Sequence, residues 1–547
     1  MREIGVSLLW PRDKREFAGS TAALFPETVT SLELDLLCRS VTRNEDDFKT
    51  VRGILCEFCR DEDVIRYRQE VFEDFLASDR LVTAFEEILS QLGQLKYAGA
   101  RAEAQEEARL WQLFSRFKEL EGYVDCVQAI SEGMRGLALK SVGLQAFREK
   151  AEQLSRDAEF QALAGVVKSL NLELNQIQSI TLGINLDSAL NPDEAMLLSV
   201  NSTRFKDSGF LRDAISLFAK NGVTVEDLGG PSRLHKASAD KRDHIMYILH
   251  KDLEKYLRPI IKDLTATLGR YAHVYTGCMA GVMPEIIFYL SFTGLCRKLE
   301  DHKLPCCRPG VKQCGDRLCE IEDAYHINLC LRLISKGRDP KAEIVANRVS
   351  FGGHGRVLII TGPNRGGKTV FTQAVGLAQV LFQAGLFVPG SAAGISPADN
   401  IFAHFPANES QTAELGRLGE ESMRLGEIFR CATRQSLILL NESLTSTSYS
   451  EGLYLAQEVT RAMRYLGVRA IFNTHLHALA ESVDDLNAET HGDSVIQSLV
   501  TGIAEGRRSY KVEPGAPHGK SFAMDIAMKF GVSFEQIARV IDEKNSQ

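Results

Sequence analysis

No stretch of this 547-residue chain approaches the ~20 consecutive apolar residues that a membrane-spanning helix needs, so no membrane partner is expected. Proline is absent between Pro26 and Pro192. Proline breaks helix interiors, so this gap in a Glu-, Leu-, Ala-, Arg- and Gln-rich stretch predicts long helices. There is no surplus of positive charge: 64 Lys and Arg against 72 Asp and Glu leave −8. That argues against nonspecific coating of nucleic acid but leaves room for a local basic surface. The start, from Met1 to Arg12, has a short apolar patch soon interrupted by charge. No export signal is expected there. The 12 cysteines then read as reduced thiols of a cytoplasmic protein rather than as a disulfide framework.

What is present is ordinary for a folded protein, with 25% charged and 44% hydrophobic residues. The length suggests three or four domains at about 150 residues each. Residues 30–165 carry helical periodicity; Val64, Tyr67, Val71 and Phe75, for example, share one face. Residues 179–187 and 195–202 instead alternate apolar and polar around a turn-rich connection at 189–194, which predicts a hairpin. Helical periodicity returns at 240–300. From about 340 the pattern becomes α/β. Short apolar runs at 356–361, 436–441 and 469–475 read as buried strands, with helical patterns between them. A mainly parallel sheet flanked by helices is expected.

The strongest chemical signal is Gly362-Pro363-Asn364-Arg365-Gly366-Gly367-Lys368-Thr369. It fits the phosphate-loop pattern, follows a predicted strand and precedes a helix candidate at 370–384. Glycines let the backbone wrap phosphates, and the helix N-terminus adds positive potential. Lys368 would neutralise the β- and γ-phosphates of a nucleotide, and the Thr369 hydroxyl would bind Mg²⁺. Such a loop needs acidic help at the end of another strand. Here Asn441 stands where a metal-associated aspartate is usual, and Glu442 follows it, placed to orient or deprotonate a water. His475, after the third strand, is expected to face the same crevice. Cysteines at 306, 307, 314, 319 and 330 lack the doubled CxxC spacing of a zinc site, and Cys56-Glu-Phe-Cys59 has no second pair. They read as small core residues.

These residues carry a resemblance. The stretch Ile344-Val345-Ala346-Asn347, the loop from Leu358 to Thr369, Leu440-Asn441-Glu442, Thr474-His475, residues 510–515 and residues 519–522 resemble, in order and spacing, the ATPase domain of the MutS family of DNA mismatch-repair proteins. The resemblance is strong over 340–535 and weaker upstream. It implies a multidomain protein: a long α-helical lever or core domain with a small β-containing clamp-like insertion, then an α/β P-loop ATPase domain of the ABC type. The corresponding divisions are 1–30, 31–310 with the insertion around 165–235, and 311–547. It also implies a homodimer with composite ATP sites. Ile344, Val345 and Asn347 would border the base. A partner's segment within 408–421, including Glu409, Ser410, Gly416, Arg417 and Glu421, would close the site.

The chain departs from the family pattern at Asn441, which replaces an aspartate, and at 416–421, which lacks the usual Ser-Thr pair. Helical sequence from about residue 30 leaves little room for an N-terminal mismatch reader, and no nuclease domain is expected after residue 547. The expected function is therefore a DNA-binding ATPase that uses ATP and Mg²⁺, with Glu442 and His475 catalytic and Thr369, Asn441 and Glu442 at the metal. It would act on repair or recombination structures rather than by mismatch reading. The alternative is an ATP-gated binding or scaffold protein with little turnover, acting on a protein or RNA assembly.

Overall fold

A computed structural model describes residues 6–11, 21–90, 109–175, 178–186, 188, 192–203, 265, 271, 281–363, 366–405, 416–444, 446–504, 507–517 and 534–545. The chain forms two compact units. One takes Met1–Val6, Arg80–Ala138 and Ala146–Met283; the other takes Ser7–Asp79, Leu139–Gln145 and Pro284–Gln547. Among the described residues no helix is long and apolar enough to cross a membrane.

The first unit is built on helices. In Arg109–Gly133, Phe117, Leu120, Val124, Val127 and Ile130 are buried at spacings of three and four, which is the stripe a packed helix needs. The helix Ala158–Asn175 answers with Phe160, Leu163, Val167 and Leu170. Tyr123 and Phe160 meet edge to face with centroids 6.0 Å apart. The second helix starts where it does because Asp157 accepts the backbone N–H groups of Glu159 and Phe160 at 2.9 and 3.2 Å. The strands Ser179–Leu186 and Pro192–Asn201 pair antiparallel, Ile180 opposite Val200, which is the hairpin the alternation predicts. The helical pattern of residues 240–280 and the 204–235 part of the clamp-like insertion fall almost wholly outside the described residues.

The second unit is organised by a six-stranded sheet. In chain order its elements are β1 (Val357–Thr361), α1 (Lys368–Gln383), β2 (Ile401–His404), α2 (Gly416–Cys431), β3 (Leu437–Asn441), α3 (Tyr449–Leu466), β4 (Arg469–Asn473), β5 (Ile496–Ala504) and β6 (Arg507–Pro514). The sheet order is β2-β3-β4-β1-β5-β6, parallel except for the β5–β6 hairpin. All five residues of β1, β3 and β4 are buried, as expected of parallel strands covered on both faces. Ser448 caps the start of α3, and Gly467, at φ 81°, ends it by donating its N–H to the carbonyls of Met463 and Arg464. The short helix Pro26–Ser31 covers the edge of β2. There Thr28 Oγ1 donates to the Ile401 carbonyl at 2.9 Å and accepts from Ala403 N at 3.2 Å. Arg469, fully buried in β4, spends its guanidinium on the carbonyls of Leu318 (3.0 Å), Ser396 (3.1 Å) and Pro397 (3.4 Å) and on Gln379 Oε1 (3.4 Å). The topology puts the carboxyl ends of β1, β3 and β4 side by side, and the site lies there.

Candidate nucleotide site

The loop after β1 leaves the strand at Gly362, whose φ of 137° is strained for any residue with a side chain. A Cβ there would also overlap Thr501 Oγ1 on β5. The loop enters α1 through Gly367, at φ 94°, over which the ring of Tyr510 sits. Asn364 and Arg365 lie outside the described residues. Lys368 folds back into its own loop, donating to the carbonyls of Gly362 (2.9 Å) and Pro363 (3.2 Å). Burial pushes its ammonium pKa down, and the nearby carboxylate of Glu442 works in the opposite direction. The helix begins at Lys368, two residues before the expected 370.

Asn441 and Asn473 end adjacent strands in register. Asn441 Oδ1 accepts from the Thr369 hydroxyl at 2.8 Å and from Asn473 Nδ2 at 2.9 Å. The next residue, Glu442, has a left-handed backbone at φ 53°, an uncommon state for a non-glycine residue and one concentrated at functional sites. Its N–H is held by the Asn473 carbonyl at 2.9 Å. That turn carries the carboxylate to His475, with Nε2 and Oε1 2.8 Å apart. The hydrogen bond from His475 holds the Glu442 carboxyl below its ordinary range, and Lys368 adds to the effect.

Ile344, Val345 and Asn347 line the same cleft as Gly366, Gly367, Lys368, Thr369 and Glu442, a space of about 620 Å³. Asn347 ties that wall to β6: its Nδ2 donates to the Tyr510 carbonyl at 3.1 Å and its Oδ1 accepts from Val512 N at 2.8 Å. Of the segment 408–421, Glu409 and Ser410 lie outside the described residues, while Gly416 and Arg417 open α2. Glu421 is buried within this same chain, accepting Leu444 N at 2.8 Å in the turn after β3. Sequence reasoning assigned no role to Tyr510, Asn473 or Thr372. Two amides ending neighbouring strands, Asn441 and Asn473, were the available signal for the second. Of the cysteines, Cys296 and Cys306 bring their sulfurs to 3.8 Å. Among the described residues no group of three or more His, Cys, Asp or Glu could hold a metal.

The second unit is thus an α/β protein with a glycine-rich loop leading from a central parallel strand into a helix N-terminus. Two family models match the chain: MutS domain V over residues 358–545, and the MutS2 N-terminal domain over residues 60–302. The chain belongs to the MutS family. It is 32% identical over 233 residues to the DNA mismatch repair protein MutS of Chlorobium phaeobacteroides, covering 40% of this chain and 26% of that protein. It is 31% identical over 199 residues to the Endonuclease MutS2 of Thermus thermophilus, covering 36% and 26%. It is 35% identical over 212 residues to the DNA mismatch repair protein MutS 2 of Halobacterium salinarum, covering 36% and 23%. The matched stretches span about a quarter of the length of these relatives.

Proposed function

We propose that this chain is a DNA-associated ATPase that binds ATP with Mg²⁺ at the glycine loop and couples the nucleotide to movement of its helical part on repair or recombination structures. The observation that supports this most is the meeting, at one loop, of Lys368, the Thr369–Asn441 bond and the Glu442–His475 pair. Backbone N–H groups at the start of α1 and the Lys368 ammonium would take the phosphates. Ile344, Val345 and Asn347 would border the base. Thr369, Asn441 and Glu442 offer oxygen atoms, the donors a hard cation such as Mg²⁺ prefers. When bound, that ion would supply charge neutralisation for the phosphates. Glu442, kept ionised by His475, would orient the attacking water and receive its proton. In this reading residues 311–547 are the ATPase part and 31–310 the lever, the hairpin at 179–201 belongs to its clamp, and two copies complete each other's sites through the segment 408–421.

The neutral Asn441 favours a second reading, an ATP-gated binding protein with little turnover. Steady-state hydrolysis by the wild type and Glu442→Gln separates the two. A rate abolished by the substitution supports catalysis. No rate, with ATP binding retained, leaves only the gated binder. The nucleic-acid half is tested by titrating duplex, mismatched and branched DNA at two salt concentrations, with and without ATP. Affinity that falls steeply with salt is expected, because phosphate contacts release counterions. No binding to any of the three defeats the DNA assignment.

A further inference from the structure

A neutral amide at position 441 creates a problem that a carboxylate would not have. A carboxylate has two equivalent oxygens, whereas an amide has one oxygen and one N–H₂, and only the oxygen can accept the Thr369 hydroxyl. Something must decide which end faces Thr369.

Hydrogen-bond polarity decides it, starting from the backbone of α1. The Thr372 hydroxyl has a single proton and donates it to the Lys368 carbonyl at 3.1 Å. A carbonyl accepts only, so the Thr372 oxygen must act as acceptor toward its other partner, 2.7 Å away. That partner is the amide nitrogen of Asn473, and its second proton points to Asn441 at 2.9 Å. Asn441 must therefore present its oxygen. Thr369, 2.8 Å from the same oxygen, must donate to it, which leaves the lone pairs of its hydroxyl for a cation. Thr372 and Asn473 are fully buried. Asn473 Oδ1 is also buried and has no protein partner among the described residues. A residue present for packing alone would not carry that unsatisfied oxygen.

We propose that Asn473, oriented by Thr372, is a positioning residue that fixes the amide of Asn441 with its oxygen toward Thr369 and so prepares Thr369 for Mg²⁺. This inference rests on the nucleotide–Mg²⁺ reading of the site.

The test is a double-mutant design read by binding. The probe is a non-hydrolysable ATP analogue titrated calorimetrically at several Mg²⁺ concentrations, with a thermal melt on every variant. Thr372→Val keeps the size of the side chain and removes the hydroxyl; Asn473→Ala removes the amide. With Asn441 in place, each should weaken the Mg²⁺-dependent part of binding about tenfold, as for loss of one well-formed polar contact. Binding without Mg²⁺ should be unchanged. In the Asn441→Asp background the same substitutions should change Mg²⁺-dependent binding by less than about twofold, because a carboxylate cannot be presented wrongly. An equal loss in both backgrounds would mean a merely structural role and overturn the proposal, as would no loss in either. If Asn473→Ala does not fold, Thr372→Val decides alone. Should wild type and Asn441→Asp both bind the analogue with no dependence on Mg²⁺, the metal reading itself falls and this inference with it.

Discussion

His475 Nε2 lies 2.8 Å from Glu442 Oε1, and this contact is the largest of the effects that hold the Glu442 carboxyl below its ordinary value of 4.5. A carboxyl with a depressed folded-state pKa adds stability that is present above 4.5 and is lost as the pH falls through the lower folded value. The wild type should therefore exceed His475→Ala in melting temperature at pH 6, and the gap should close as the pH drops below 4.5. Both side chains are substantially exposed, so the gap should be small. Thermal melts of the two proteins across this range check it; a gap that widens toward low pH would show the sign to be wrong.

Lys368 is the second test of the loop. Its ammonium is buried against the carbonyls of Gly362 and Pro363, a position it would leave for the more favourable phosphate oxygens. Lys368→Ala should weaken ATP binding by roughly two orders of magnitude, about 3 kcal/mol. Fluorescence titration with a labelled ATP analogue measures this directly. Unchanged affinity would place the phosphates elsewhere.

Gly362→Ala meets two obstacles at once, a φ of 137° and an overlap with Thr501 Oγ1. The backbone term alone is of order 1–3 kcal/mol. Adding Thr501→Ala should recover only part of the loss, since the strained backbone remains. Urea unfolding of the single and double variants separates the terms, and full recovery would assign everything to the overlap.

Arg469 poses a question of magnitude. Its cation is buried among carbonyls, but two of those carbonyls keep a second donor: Ser396 N reaches the Leu318 carbonyl, and Gln379 Nε2 reaches that of Ser396. Arg469→Met, which retains much of the stem, should therefore cost only about 1 kcal/mol. Arg469→Ala adds a cavity and should cost about 3 kcal/mol or more. Equal losses in urea unfolding would show that the hydrogen bonds, and not the packing, dominate.

Much of the fold was legible in the sequence, for local reasons. The runs at 356–361, 436–441 and 469–475 contain β1, β3 and β4 because parallel strands buried on both faces are mostly apolar. The hairpin at 179–201 followed from an alternation that is clear in 179–187 and less clean in 195–202, on either side of a turn-rich connection. The helix Pro26–Ser31 precedes the periodicity read from residue 30, and periodicity says nothing about which strand a helix will cover, so the bond from Thr28 to Ile401 was invisible. Strands β5 and β6 were missed because neither is bounded by an uninterrupted apolar run. In the site, the loop and Glu442 were legible from spacing. The Thr372–Asn473–Asn441 relay was not, because hydrogen-bond polarity exists only once side chains from two strands and a helix meet.

The second unit closes upon itself across a long separation. Thr28 must wait for Ile401, 373 positions later. At the ~5–20 residues per second of protein synthesis, that wait is roughly 20–75 s. Through it, the helix Pro26–Ser31, whose Thr28 and Val29 are buried in the finished protein, has no β2 to pack against. The first unit is complete in sequence by residue 283, long before that edge strand exists. A growing chain therefore carries one finished body and one unfinished hydrophobic surface over the 118 residues from 283 to 401, roughly 6–24 s at the same rate, the interval in which a holding chaperone would have most to do.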